Sequence, residues 1–91
     1  MKHLPVISMF FGILIKMNWG DTGKHNTPRF HAEYQDYEGS FNLDGEMIVG
    51  NIPRKQEALI RAWALLHGDE LSANWKLAGQ MTETFRIDPL K

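Results

Sequence analysis

The hydrophobic period of this sequence changes once, and that change limits the fold more than any other feature does. In the first half, apolar and polar residues alternate, as in Arg29–Tyr34, which is typical of half-buried β-strands. In the second half, apolar residues recur with the spacing of an amphipathic helix. The clearest helical set is Leu59, Ala62, Trp63 and Leu66. Strands followed by helices predict an α+β fold, a small antiparallel β-meander with one face covered by C-terminal helices.

The length of the chain limits its domain organisation. At 91 residues, the chain has no room for two cores, so residues 1–91 are expected to form a single domain. The meander should have about four to five strands. Gly68 and Asp69 interrupt the helical pattern, so that part is either one kinked helix or two helices. The expected segments are strands over about 5–50, helices over about 54–79 and a last edge strand at 82–87.

One short loop predicts the register of two neighbouring strands. Gln35 and Asp36 separate two alternating segments, and a two-residue hairpin loop would pair Tyr34 with Tyr37. The other cross-strand pairs then follow by counting. On the face away from the aromatic residues they are Glu33 with Glu38, His31 with Ser40 and Arg29 with Asn42.

Further turn signals define the remaining strands. Asp44-Gly45 is a strong hairpin signal and leads into the apolar Met47–Val49. Gly12 is either a bulge within one long strand or the break between two strands. Together, the alternating and helical patterns predict a core of Ile7, Phe11, Ile13, Ile15, Phe30, Tyr34, Phe41, Ile48, Leu59, Trp63, Leu66 and Trp75.

The polar face of the predicted hairpin carries most of the reactive side chains. Two glutamates directly opposite each other repel unless a cation lies between them. If the face is a catalytic site, Glu33 or Glu38 is the base, His31 the acid and Arg29 an anion clamp. The alternative is a solvated sheet face on which the two glutamates splay apart.

Other side chains suggest an anion site more than a metal site. Arg54 and Lys55 at the first helix, and His25 in the 20–28 loop before Arg29, are candidate anion contacts; the alternative is a solvated helix face. We expect no metal site and no cofactor, because the chain has no cysteine and no helical histidine pair. A metal site would require the 20–28 loop to fold back, so that Asp21, His25, His31 and Glu33 come together as ligands.

Charge and cysteine content narrow the partners and the compartment. Ten basic residues against eleven acidic ones give a net charge of −1, so binding to nucleic acid is only weakly supported. The apolar run from Leu4 to Ile15 is too short to span a membrane. The lack of cysteine fits a reducing cytoplasm. We therefore expect a cytoplasmic protein with a protein partner or in a homodimer.

The chain resembles the small bacterial proteins of domain-of-unknown-function family 4160 over almost its whole length. The matching residues are Pro5–Ser8, Phe10–Ile13, Lys16-Met17, His25-Asn26, Pro28, Phe30–Tyr34, Gly45-Glu46, Gly50-Asn51, Pro53, Trp63–His67, Glu70-Leu71, Asn74-Trp75 and Leu77-Ala78. The family commonly reads His-Asn-Pro-Pro-His-Phe-His, but here Thr27 replaces the first proline and Arg29 the second histidine. Because arginine stays protonated and cannot ligate a metal, this departure favours anion binding over metal binding.

The resemblance also suggests a biological role. Family members resemble proteins encoded beside a partner and are discussed as components of toxin–antitoxin-like pairs. This implies a protein-interaction or regulatory module, one component of such a pair. The alternative is a metal-independent ribonuclease-type toxin that uses Arg29, His31, Glu33 and Glu38 on one sheet face.

Overall fold

The architecture is one antiparallel sheet followed by two helices. The structure is a computed structural model, and it describes residues 5–17 and 27–91. The strands are paired in chain order from β1 to β5, which confirms the predicted α+β meander. The elements are β1 (Val6–Phe10), β2 (Ile13–Lys16), β3 (Arg29–Tyr34), β4 (Tyr37–Asn42), β5 (Met47–Asn51), α1 (Arg54–Leu66) and α2 (Gly68–Gly79).

The β3–β4 hairpin has the register that the sequence predicts. Tyr34 pairs with Tyr37 across the two-residue loop, and Phe30 pairs with Phe41. The Phe30 and Phe41 rings are stacked with centroids 5.4 Å apart, and both side chains are buried. Cross-strand aromatic pairs of this kind stabilise a hairpin in one register.

The first hairpin corrects part of the predicted core. Phe11 and Gly12 have φ angles of 50° and 78° and form the two-residue turn between β1 and β2, a backbone geometry typical of type I′ turns. Gly12 therefore marks a break between two strands. Phe11 was expected in the core but is 60% exposed, because it lies in the turn, while Phe10 is buried.

The helix α1 presents a different face to the sheet from the predicted one. Its buried residues are Ile60, Trp63 and Ala64, whereas Leu66, expected in the core, is 71% exposed. Residues 58–66 contain one charged residue, Arg61, so two overlapping apolar stripes with helical spacing both contain Trp63. Packing of Trp63 against Phe30, with ring centroids 5.6 Å apart, selects the other stripe.

The β4–β5 pairing explains why a third residue expected in the core, Ile48, is exposed. Its register shifts between Ser40 and Phe41, which pair with Val49 and Met47 respectively. Ile48 is therefore an extra residue at a bulge. It was expected in the core, but it is 49% exposed.

The helical part consists of two helices rather than one kinked helix. His67 has φ −120° and ψ 29°, so it separates α1 from α2. Its Nδ1 lies 2.5 Å from Oε1 of Glu70 in the first turn of α2. Among the described residues, neither helix has the length and apolar character needed to cross a membrane.

The predicted last strand at 82–87 is not formed. The segment after α2 is irregular and is attached mainly by buried side chains. The Asn74 amide donates to the Phe85 carbonyl at 2.8 Å and accepts from the Phe85 N–H at 2.9 Å. Trp63 Nε1 donates to the Asp88 carbonyl at 2.8 Å. The Ile87 N–H also donates to the Ile7 carbonyl in the edge strand β1 at 2.7 Å.

The Asp44-Gly45 turn packs directly against α1. The Asn42 side chain accepts hydrogen bonds from the Asp44 and Glu46 backbone N–H groups at 2.9 and 3.0 Å. Gly45 has φ +86°, and a Cβ there would lie 2.7 Å from the Arg61 Cα. The turn therefore needs glycine both for its backbone angle and for its contact with the helix.

Replacing Gly45 with alanine should lower the free energy of unfolding by about 2 kcal/mol or more, from backbone strain and a clash with α1. Chemical denaturation followed by circular dichroism measures this difference. Gly68→Ala is the matched control, because a Cβ at Gly68 meets no atom within 4 Å. Equal losses of stability in the two variants would contradict the proposed packing.

Candidate functional site

Four side chains meet on the outer face of the sheet, the face opposite the helices. We call Lys16, His31, Glu33 and Glu38 the outer-face cluster. Lys16 in β2 pairs with His31 in β3, and Glu33 in β3 pairs with Glu38 in β4. Three neighbouring strands therefore bring the cluster together.

The two glutamates converge on His31 instead of splaying apart. Nε2 of His31 lies 3.1 Å from Oε1 of Glu38 and 3.8 Å from Oε2 of Glu33. Since a carboxylate only accepts hydrogen bonds, Nε2 carries the proton in the shorter contact. Lys16 Nζ donates to Oε2 of Glu33 at 3.2 Å. Each carboxylate thus has its own donor, which offsets the repulsion between the facing glutamates.

Lys16 is the cluster residue that sequence reasoning missed. It lies on the polar side of the alternating segment with Leu14, so its face was predictable from the sequence. The residue with which Lys16 pairs was not predictable. A long connection joins β2 and β3, so there is no tight turn from which the β2–β3 register can be counted. The structure sets Lys16 beside His31 and so adds a lysine amino group to the cluster.

Arg29 lies on the same face but outside these contacts. It pairs with Asn42 at the far end of the hairpin, and its side chain is half-buried. Its Nε is buried and has no hydrogen-bond partner within the described residues. The proposed anion clamp is therefore close to His31 along the strand but is not part of the described ion pairs.

The candidate anion contacts lie either away from the outer-face cluster or outside the described residues. His25 and Asp21 fall outside the described residues. Arg54 and Lys55 are exposed in the first turn of α1. Arg54 lines an open groove between α1 and the start of β5, with Met47, Ala58 and Arg61. These two basic residues therefore belong to a different surface from the outer-face cluster.

The cluster offers more metal-ligand atoms than the sequence suggested. One atom each from His31, Glu33 and Glu38 lie within 4.8 Å of one another, and three protein ligands are the number found in many zinc sites. The expectation of no metal rested on the lack of cysteine and of a helical histidine pair, and it did not count Glu38 as a ligand beside His31 and Glu33. The Lys16 ammonium lies 3.2 Å from Oε2 of Glu33, so it would compete with a metal ion for this carboxylate.

A second surface of interest is the edge strand β5. Among the residues that the structure describes, it pairs with β4 alone. Val49 is 63% exposed and Ile48 is 49% exposed. Residues 47–53 include no charged residue. An apolar edge strand of this kind offers unpaired backbone groups to another chain.

Comparison with known proteins identifies the family of the chain. The model of the family described as Domain of unknown function (DUF4160) matches residues 12–76. The chain belongs to this family. No curated protein matches the chain, and no solved structure does.

The ion pair between Lys16 and Glu33 should contribute about 0.5 kcal/mol to stability, since the Glu33 side chain is 37% exposed and solvent screens the charges. A double-mutant cycle with Lys16→Met and Glu33→Gln, measured by urea denaturation, gives this coupling energy. The control cycle uses Arg61→Met and Glu46→Gln. That pair is 3.6 Å apart and both side chains are more than half exposed, so its coupling should be smaller. A larger coupling for the control pair would contradict the assigned geometry.

Proposed function

We propose that this protein is an interaction or regulatory module that works in a complex with another polypeptide in the bacterial cytoplasm. The observation that carries the proposal is the apolar, uncharged edge of β5. Family resemblance supplies a candidate context, a pair of the toxin–antitoxin kind. In this context, one strand of the partner would extend the sheet at β5.

The composition of β5 supports this role. Natural proteins discourage pairing at sheet edges with lysine, proline, bulges or a covering segment. β5 has a bulge at Ile48, but Met47–Asn51 contains neither lysine nor proline. Within the described residues, no further strand pairs with it. Exposed apolar side chains on such an edge are typical of β-strand addition by a partner.

The opposite edge of the sheet has a different surrounding. There the Ile7 carbonyl of β1 accepts a hydrogen bond from Ile87 in the C-terminal segment. Ile87 itself is buried. β1 thus holds a hydrogen bond from the C-terminal segment, whereas no described strand other than β4 pairs with β5. This contrast supports β5 as the edge used for binding.

Introducing a charge at Val49 should abolish binding of the partner, because a lysine there would be desolvated by an added strand. The tagged protein is co-expressed with the product of the adjacent gene, and the purified complex is identified by mass spectrometry. Met9→Lys is the matched control, since Met9 is 55% exposed and lies in β1, the edge strand on the opposite side of the sheet. Recovery of the same complex with wild type and Val49→Lys would refute binding through β5.

A second candidate function is a metal-independent ribonuclease-type toxin. The observation in its favour is the contact between His31 and Glu38, with Lys16 and Arg29 on the same sheet face. RNA cleavage needs a base for the 2′-hydroxyl, an acid for the leaving oxygen and cations for the phosphate. Glu38 or Glu33 would be the base, His31 the acid, and Lys16 and Arg29 the cationic contacts.

This alternative predicts RNA cleavage by the purified protein in the presence of EDTA. His31→Ala should reduce the rate by about 100-fold or more, since it removes the proton donor. His67→Ala is the control, because His67 also contacts a glutamate but lies between the two helices. If the wild type neither cleaves RNA nor slows growth on expression, the enzyme hypothesis is rejected.

A further inference from the structure

We infer that the partner at β5 is a second copy of this chain, paired antiparallel through Ile48 and Val49 to form a two-fold symmetric dimer. This inference rests on the proposed function, because it assigns the occupant of the same edge. It is carried by the distribution of charge on either side of β5.

The charges flanking β5 have opposite signs at its two ends. Asp44 and Glu46 precede the strand, Arg54 and Lys55 follow it, and all four are exposed. The seven residues between them are uncharged. The edge is therefore acidic at one end, apolar in the middle and basic at the other end.

An antiparallel pair of such strands is self-complementary. The acidic end of one copy lies beside the basic end of the other, and the two-fold axis repeats the same contact a second time. In a two-fold pairing that sets Val49 opposite Val49 of the other copy, Asp44 of one copy lies level with Arg54 of the other. A parallel pairing would instead bring like charges together at both ends, which is unfavourable.

The central residues of the edge suit the same arrangement. Ile48 and Val49 are the most exposed apolar side chains of β5. Val49 would contact its counterpart across the axis, and Ile48 would lie opposite Gly50 of the other copy. Antiparallel pairing of two edge strands joins the two five-stranded sheets into one continuous sheet. No contact of this pairing requires the outer-face cluster.

The test uses the oligomeric state of the full chain, measured by sedimentation equilibrium at micromolar concentrations. Wild type should be a dimer, and Val49→Lys a monomer. Asp44→Lys and Arg54→Glu, each purified alone, should dimerise about tenfold more weakly, because like charges then meet twice across the axis. Mixing the two single variants should restore wild-type affinity, since each copy then faces an opposite charge.

Recovery on mixing is the decisive result, because it requires that residue 44 of one copy meet residue 54 of the other. Circular dichroism confirms that every variant is folded before its mass is measured. A wild-type monomer at these concentrations would overturn the inference, as would a dimer that Val49→Lys leaves intact. A wild-type monomer whose complex with the adjacent gene product is lost in Val49→Lys would overturn only the choice of partner. The proposed function would then stand.

Discussion

The burial of Trp63 is the constraint on which most of the other contacts depend. Its indole is fully buried and contacts Phe10 and Phe30, which come from two different strands. A buried indole N–H needs an acceptor, and the Asp88 carbonyl supplies it. Trp63 therefore packs α1 against the sheet and also binds the C-terminal segment through the Asp88 carbonyl. The path of residues 82–91 follows from the position of a helix that precedes them.

The sheet was predictable where the chain itself limits the choices. The β3–β4 register follows from strict alternation and a two-residue loop, and it sets Glu33 opposite Glu38. The first hairpin was not predictable to the residue, because Phe11 lies in a turn with positive φ that its side chain does not signal. The buried face of α1 was ambiguous because residues 58–66 contain only one charged residue, and their apolar residues form two overlapping stripes.

The outer-face cluster shows a similar division between what the sequence contains and what the fold adds. His31, Glu33 and Glu38 are neighbours by local register, so they could be proposed together from the sequence. Lys16 joins them through the pairing of β2 with β3, two strands that a long connection separates in the sequence. Asn74 is a comparable case at the other end of the chain. Its two hydrogen bonds to Phe85 join a side chain to irregular backbone. Contacts of this kind leave no trace in the spacing of apolar residues, so the sequence did not predict them.

The hydrogen bond from Ile87 to Ile7 has a consequence for how far an assembly of this chain can grow. A sheet with two open edges can add copies at both sides and extend into a fibre. In the proposed dimer, pairing through β5 would use that edge of both copies at once, and the Ile87–Ile7 hydrogen bond would lie at each outer edge of the joined sheet. A further copy would have to displace this hydrogen bond in order to pair with β1. The proposal therefore implies an assembly that stops at two copies.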